Sequence, residues 1–323
     1  MLNTTRQRLA ATPTPMAGLA LGIASLGWCW ENTGLFAGQA QSLAAAIAAV
    51  LLLILTAKFV LHPRLLAEDL AHPVVGSVVP TFAMATMVVS ASLEGSARDL
   101  LWGLGTGLHV VFLLAFARHR LQAFRLHHMV PSWFVPPVGI IVAAVASPGG
   151  ALEPLAQGLM WFGLVCYGLL LPLMLYRLIF CAEVPDAAKP TIAILAAPAS
   201  LSLAGYLTVS TQPDLLLVAV LLGIAVLMTA LIYLALFHLL RLPFSPGYAA
   251  FTFPLVIGAT ALFKVAGLAA ELGLDGVALA RLEGLAQLEL MVATLMVSYV
   301  ALRYALRFTA LGRLRLTGRQ VAQ

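Results

Sequence analysis

Apolar runs long enough to cross a lipid bilayer recur along the whole of this chain, separated by short polar connectors. An α-helix rises about 1.5 Å per residue, so a hydrocarbon core of about 30 Å takes roughly 20 mainly apolar residues. Polar punctuation divides the 323 residues into ten such runs, at 15–31, 39–61, 74–93, 99–117, 130–147, 153–180, 190–211, 213–239, 247–270 and 279–309. Connectors such as Asn32–Gly38, Glu94–Arg98 and Ser147–Leu152 are short, which makes successive helices antiparallel neighbours. An open sheet is excluded, because lipid cannot satisfy an unpaired strand edge. The runs are also too long and too evenly apolar for the alternating strands of a membrane barrel. Composition agrees: hydrophobic residues make up 62%, charged residues 10%, and mean hydropathy is +1.00. A soluble domain carries about 25% charged residues. The expected fold is therefore an all-α integral membrane protein of ten transmembrane helices. Residues 1–14 are an N-terminal tail, 15–309 a single membrane domain and 310–323 a C-terminal tail.

Charge gives an orientation. All but three of the 18 Lys and Arg, namely Arg98, Lys264 and Arg281, fall on the side that holds both termini. Glu31, Glu94, Asp99, Glu153, Asp214 and Asp275 fall on the other side. The basic side reads as cytoplasmic, with both termini inside, and an even number of spans follows. The polar start, with Arg6 and Arg8, does not read as a cleavable signal peptide. The net charge of +5 is then a topology signal and an attraction to anionic lipid heads, with no call for nucleic acid. The expected location is a plasma membrane, bacterial and inner.

A repeat is carried by prolines in the odd-numbered runs: Pro15, Pro80, Pro137, Pro198 and Pro254, at intervals of 65, 57, 61 and 56 residues. That is the length of a helical hairpin, repeated through the chain. Proline lacks an N–H and clashes with the preceding turn, so each marks a kink or break. Backbone freed at membrane depth is tolerated only within protein or beside a water-filled cavity. The odd helices are thus expected inside and the leucine-rich even helices against lipid. Five hairpins in parallel, kinked helices innermost, enclose a central pore with quasi-five-fold symmetry. Residues one turn beyond the prolines, Met84, Ile141, Ser202 and Gly258, are expected to face it.

The expected pore is poor in charge. Candidate lining hydroxyls are Thr81, Thr86, Ser200, Ser202, Thr252 and Thr260; the alternative for each is a hydrogen bond to the preceding helical turn. Lys264 either draws anions to the outer mouth or snorkels to headgroups. His109 reads as a packed, hydrogen-bonded residue on an outer helix, with proton relay as its other reading. Glu289, an intramembrane carboxylate, is a functional candidate by residue type. Trp28, Trp30, Trp102, Trp133 and Trp161 lie towards span edges, as interfacial aromatics do. The basic and histidine-rich stretch from Arg118 to His128 suits a solvated loop better than a metal site. Cys29, Cys166 and Cys181 match neither a metal spacing nor a disulfide framework. No metal, no cofactor and no catalytic pairing such as HExxH or GxSxG is read from the chain.

Several stretches resemble the tellurite-resistance/dicarboxylate transporter (TehA-like) family and, more distantly, the plant slow anion channels. They are Pro15–Gly27 ending in Trp28, His72–Pro80, Val135-Pro-Pro-Val-Gly-Ile, Leu195-Ala-Ala-Pro-Ala-Ser-Leu and Ala250-Phe-Thr-Phe-Pro-Leu-Val. The resemblance implies five helical hairpins around a pore, often a homotrimer, and a phenylalanine from the ninth helix that plugs the pore. Phe253 matches that residue, with Phe251 the lesser candidate; Pro254 stands where such members commonly have glycine. It implies transport of small inorganic or carboxylate anions through a gated channel. The alternative is proton-coupled transport of dicarboxylates or of oxyanions such as tellurite or sulfite, with Glu289 or His109 in the coupling.

Overall fold

A computed structural model describes residues 2–308; the expected C-terminal tail at 310–323 lies outside the described residues. These residues are helical, with no strand among them. The apolar runs form α1 (Met16–Trp30), α2 (Gln39–Leu61), α3 (Val75–Ser90), α4 (Gly95–Gln122), α5 (Pro131–Val145), α6 (Gly150–Phe180), α7 (Lys189–Val209), α8 (Leu215–Leu239), α9 (Pro246–Glu271) and α10 (Gly276–Phe308). Two further helices, Leu2–Ala10 and Pro63–Ala71, lie outside these runs.

Seven helices are long and apolar enough to cross a membrane, and eight if Pro63–Ala71 and α3, bent by 106° where they meet, count as one span. The sequence expectation is ten. The difference falls on α1, α3 and α5, where prolines cut the regular helix short. Pro15 caps α1, Pro80 caps the regular turns of α3, and Pro137 lies where α5 passes between α-helical and 3₁₀ turns. In α7 and α9, Pro198 and Pro254 sit where a 3₁₀ stretch becomes α-helix. The prolines therefore end one helical piece and start the next, where a missing N–H costs nothing.

Each odd segment packs on the even helix that follows it, giving five hairpins. Among the odd segments, α1 touches α3, α3 touches α5, α5 touches α7, α7 touches α9, and α9 returns to α1. The ring closes. Burial follows it: 78% of the α7 window and 61% of the α9 window are buried, against 22–33% for α2, α4, α6, α8 and α10. The even helices expose Leu53, Leu114, Leu169, Leu234 and Leu295 on their outer faces, as lipid-facing helices do.

Small residues set the spacing within and around the ring. A Cβ on Gly22 of α1 would lie 2.4 Å from Thr252 Cβ of α9, and one on Gly27 would lie 2.3 Å from Ala44 Cβ of α2. Ile141 fills notches left by Gly163 and Gly205, where added Cβ atoms would approach it to 2.4 and 2.5 Å. These are the close backbone approaches that membrane helices use in place of a hydrophobic driving force.

The broken α5 is held by one face of α4. Arg98 donates to the Ser147 carbonyl at 2.8 Å, Trp102 to Ala143 at 2.9 Å, and His109 Nε2 lies 2.8 Å from the Pro136 carbonyl, which fixes that nitrogen as the donor. Trp102 and Trp133 are thus not interfacial anchors. Both are buried, and Trp133 donates to Pro73 at 3.0 Å. Trp30 donates to Thr294 at 3.0 Å, while Trp161 keeps an outward position at 49% exposure.

Replacing His109 with Leu should cost about 1–3 kcal/mol, the penalty of orphaning a buried carbonyl. His109→Gln, which can still donate, should keep most of that stability. Thermal unfolding in detergent distinguishes the two; equal stability of Leu and Gln variants would remove the hydrogen bond from the account.

Candidate functional site

The ring of odd segments encloses two cavities on one axis. The larger, about 480 Å³, opens at the basic end of the bundle, where Lys58, Asp69, Ala187 and Ser245 line it. All five odd segments line it, through residues such as Gly18, Thr81, Val138, Ala197 and Ala250. The smaller, about 80 Å³, lies towards the opposite end and is lined by Ser25, Trp28, Val88, Val142, Ile257, Thr260 and Lys264 among others. Two residues line both cavities: Phe253 of α9 and Leu201 of α7. They form the partition between them.

Phe253 is 7% exposed and is the first residue of the α-helical part of α9. The off-helix geometry lies one residue earlier, at Thr252, with φ −94° and ψ −83°. A residue before proline is pushed away from helical geometry, which would put the distortion at Phe253. The chain instead turns at Thr252, whose hydroxyl donates to the Ala249 carbonyl at 2.7 Å and lies 3.2 Å from the Gly18 carbonyl of α1. Gly18 and Gly22, one turn apart, let α1 approach this turn closely. Phe251 is fully buried, lines neither cavity, and packs against Tyr248 with ring centroids 4.8 Å apart and planes tilted by 60°.

Of the candidate hydroxyls, Thr81 lines the larger cavity and Thr260 the smaller. Thr86, Ser200 and Ser202 line neither; their hydroxyls donate one turn back, to Phe82, Ala196 and Pro198 at 2.9, 3.1 and 2.7 Å. Thr252 is spent on its own turn. Of the residues one turn past the prolines, Met84 lines the larger cavity. Ile141 and Ser202 point elsewhere, and Gly258 faces Glu289, whose Oε1 would lie 2.2 Å from an added Cβ. Only Ile141 is reached through 3₁₀ turns; Ser202 and Gly258 follow regular α-helix, where four residues carry a side chain about 40° past the face of the proline.

Charge in the cavities is sparse. Lys58 and Asp69 are the charged lining residues of the larger one, and Lys264 of the smaller. At the rim, Lys189 pairs with Asp186 at 2.7 Å, and that hydrogen bond holds the Asp186 carboxyl below its ordinary value. Glu289 and His109 line neither cavity. Cys29 lines the smaller cavity as a free thiol. Among the described residues no three His, Cys, Asp or Glu gather as a metal site.

Leu201 escaped sequence reasoning, which looked for hydroxyls and aromatics on the axis. Nothing distinguishes this leucine from its neighbours except its place one turn after Pro198.

Two proteins of Methanocaldococcus jannaschii, each named an uncharacterized transporter, are similar to this chain. One is 27% identical over 219 residues, 58% of this chain and 62% of the relative; the other is 26% identical over 238 residues, 64% and 68%. The chain thus spans less than two thirds of the first relative's length. The family described as voltage-dependent anion channel matches residues 14–305, which takes in every odd segment, both cavities and the partition between them. The chain belongs to the voltage-dependent anion channel family.

Proposed function

We propose that this protein passes small inorganic or carboxylate anions through its membrane along the axis of the ring, and that Phe253 with Leu201 forms the gate. The observation that carries the reading is the shared lining: a wide cavity and a narrow one both reach these two side chains. An anion held against a phenyl ring and a leucine must shed water to pass, so the constriction excludes ions sterically and by dehydration. The walls on either side are mostly apolar, with one lysine each. Binding is then weak, and weak binding lets an ion leave.

In this reading α1, α3 and α5 also cross the bilayer, despite their breaks, because the ring shields them from lipid. Ten spans then form five hairpins with quasi-five-fold symmetry. Both termini lie on the basic, cytoplasmic side of a bacterial inner membrane. A homotrimer embedded in lipid is the expected assembly. The second reading, proton-coupled transport of dicarboxylates or of oxyanions such as tellurite or sulfite, is favoured by Glu289. Its Oε1 is buried without a hydrogen-bond partner against Gly258 of the gate helix. Reversal potentials that follow the proton gradient would favour coupling; reversal potentials set by the anion gradient alone favour the channel.

Phe253→Ala should raise anion conductance about tenfold or more in proteoliposomes, and Leu201→Ala should raise it by a smaller factor, since each removes part of a steric block. Phe251→Ala is the control. It removes a buried ring outside both cavities, so it should lose about 3–5 kcal/mol of stability by analogy with soluble cores and gain no conductance. A gain for Phe251→Ala without one for Phe253→Ala would move the gate.

Single cysteines at Arg120 and Asp214 should label from opposite faces of the membrane, Arg120 from the cytoplasmic face. Labelling of both from one face would break the ten-span topology.

A further inference from the structure

We propose that Lys58, braced by Thr14 and counter-charged by Asp69, is a docking site for small monoanions at the basic end of the larger cavity. The inference rests on the anion passage proposed above and adds the group that selects among anions by charge.

A lysine near the end of an outer, lipid-facing helix ordinarily snorkels along that face to the headgroups. Lys58 turns the other way. It sits in the last turn of α2, is 5% exposed, and lines the cavity with Thr14 and Asp69. Its ammonium donates to Thr14 Oγ1 at 2.8 Å and lies 3.5 Å from Asp69 Oδ2, at the edge of hydrogen-bonding distance. The Thr14 hydroxyl donates to Asp69 Oδ2, so its oxygen is left to accept from Lys58. Three elements meet here: the segment before α1, the end of α2, and the Pro63–Ala71 helix that bends by 106° into α3. An ammonium has three protons to give; hydrogen bonds to protein account for two, one of them loosely, and the Phe59 ring, its centroid 5.1 Å from Nζ, covers part of the remaining surface. The third is available to an anion in the cavity.

The same geometry sets the valence. Most of the lining offers no hydrogen bonds from its side chains, as at Val74, Val78, Val135, Ile194 and Ala250, and the hydroxyls of Thr81 and Thr191 are spent on the Val78 and Ala188 carbonyls. One cation faces the guest, and Asp69 opposes it. A monoanion exchanges water for the ammonium and meets one like charge. A dianion loses far more hydration, because that cost grows with the square of the charge, and meets twice the repulsion. Asp69, the more exposed of the pair with a side chain at 24% against 6%, is the group an incoming anion competes with for Lys58.

The test compares wild type with Lys58→Gln, Asp69→Asn and the double variant, using nitrate as monoanion and sulfate as dianion. Flux is measured in a Phe253→Ala background, and nitrate-dependent thermal stabilisation in detergent reports binding without flux. Lys58→Gln should raise the half-saturating nitrate concentration about tenfold, the scale of one close charge contact. Asp69→Asn should move it the opposite way, lowering it several-fold, and should raise the sulfate-to-nitrate flux ratio. The double variant, which leaves neither charge unpaired, should resemble Lys58→Gln. If the trio is only a structural brace, Lys58→Gln and Asp69→Asn lose thermal stability together and do not split in sign; that result, or no nitrate stabilisation of wild type, overturns the proposal. Absence of flux with nitrate stabilisation that depends on Lys58 would instead count against anion passage and leave the docking site standing.

Discussion

Lipid gives a backbone amide nothing to bond to, and four of the five inner segments of this protein, α3, α5, α7 and α9, break their regular helix along their length. Every other feature of the bundle answers that conflict. The even helices are continuous and satisfy themselves, so they can face lipid with leucine and valine. Segments α3, α5, α7 and α9 are interrupted by proline or 3₁₀ turns, and protein covers them. Cover alone does not suffice, because a buried carbonyl without a donor costs nearly as much as one in lipid. The face of α4 that carries Arg98, Trp102 and His109 supplies three donors to α5 and the residue just beyond it. Thr252 does the same for the break in α9, from within its own turn.

A cavity is what remains when helices that cannot be straight are arranged in a closed ring. Their side chains near the axis are glycine, alanine, valine and proline, chosen by the need for close approach between neighbours. The wall is therefore apolar without being designed to repel ions, and the few polar groups on it carry disproportionate weight. In a wall of this kind Lys264 at one end and the Lys58–Asp69 pair at the other set the potential along the axis, since low-dielectric surroundings screen them poorly. The hydroxyls, by contrast, are mostly consumed by the preceding turn, and Ser200 and Ser202 illustrate why residue type alone is a poor guide to a lining role.

Much of this architecture was legible in the chain. Hydropathy marked the apolar runs, and the prolines separated inner from outer segments; the burial of α7 and α9 against that of α2 and α6 follows the division. Azimuth was not legible. Gly258 and Ile141 were expected on the axis and face away from it: four residues of α-helix overshoot a full turn by about 40°, and the 3₁₀ turn through Ile141 adds a rotation that spacing does not reveal. Partners distant in sequence were also hidden: His109 read as a packed, hydrogen-bonded residue, but its partner Pro136 could not be named, and the pairing of Trp133 with Pro73 made a structural donor of a residue that read as an interfacial anchor. Lys58 was read as one more positive charge on the cytoplasmic side. Its inward turn depends on Thr14 and Asp69, which come from other elements.

The partition inherits its stiffness from the same packing. Straightening α9 through Thr252 would move that residue's side chain, and an added methyl at Gly22 would already lie 2.4 Å from it. Pro254 has no N–H with which to rebuild a regular turn, so straightening would also gain no hydrogen bond there. The turn is thus held from α1 on one side and by its own chemistry on the other. The side chains beyond it are less constrained: a phenyl ring has two rotatable bonds, and Leu201 stands on a separate helix that contacts α9 through small residues as well as large. A gate built on this partition therefore opens at least cost by rotating the Phe253 ring or sliding Leu201 away, with the backbone of α9 left bent.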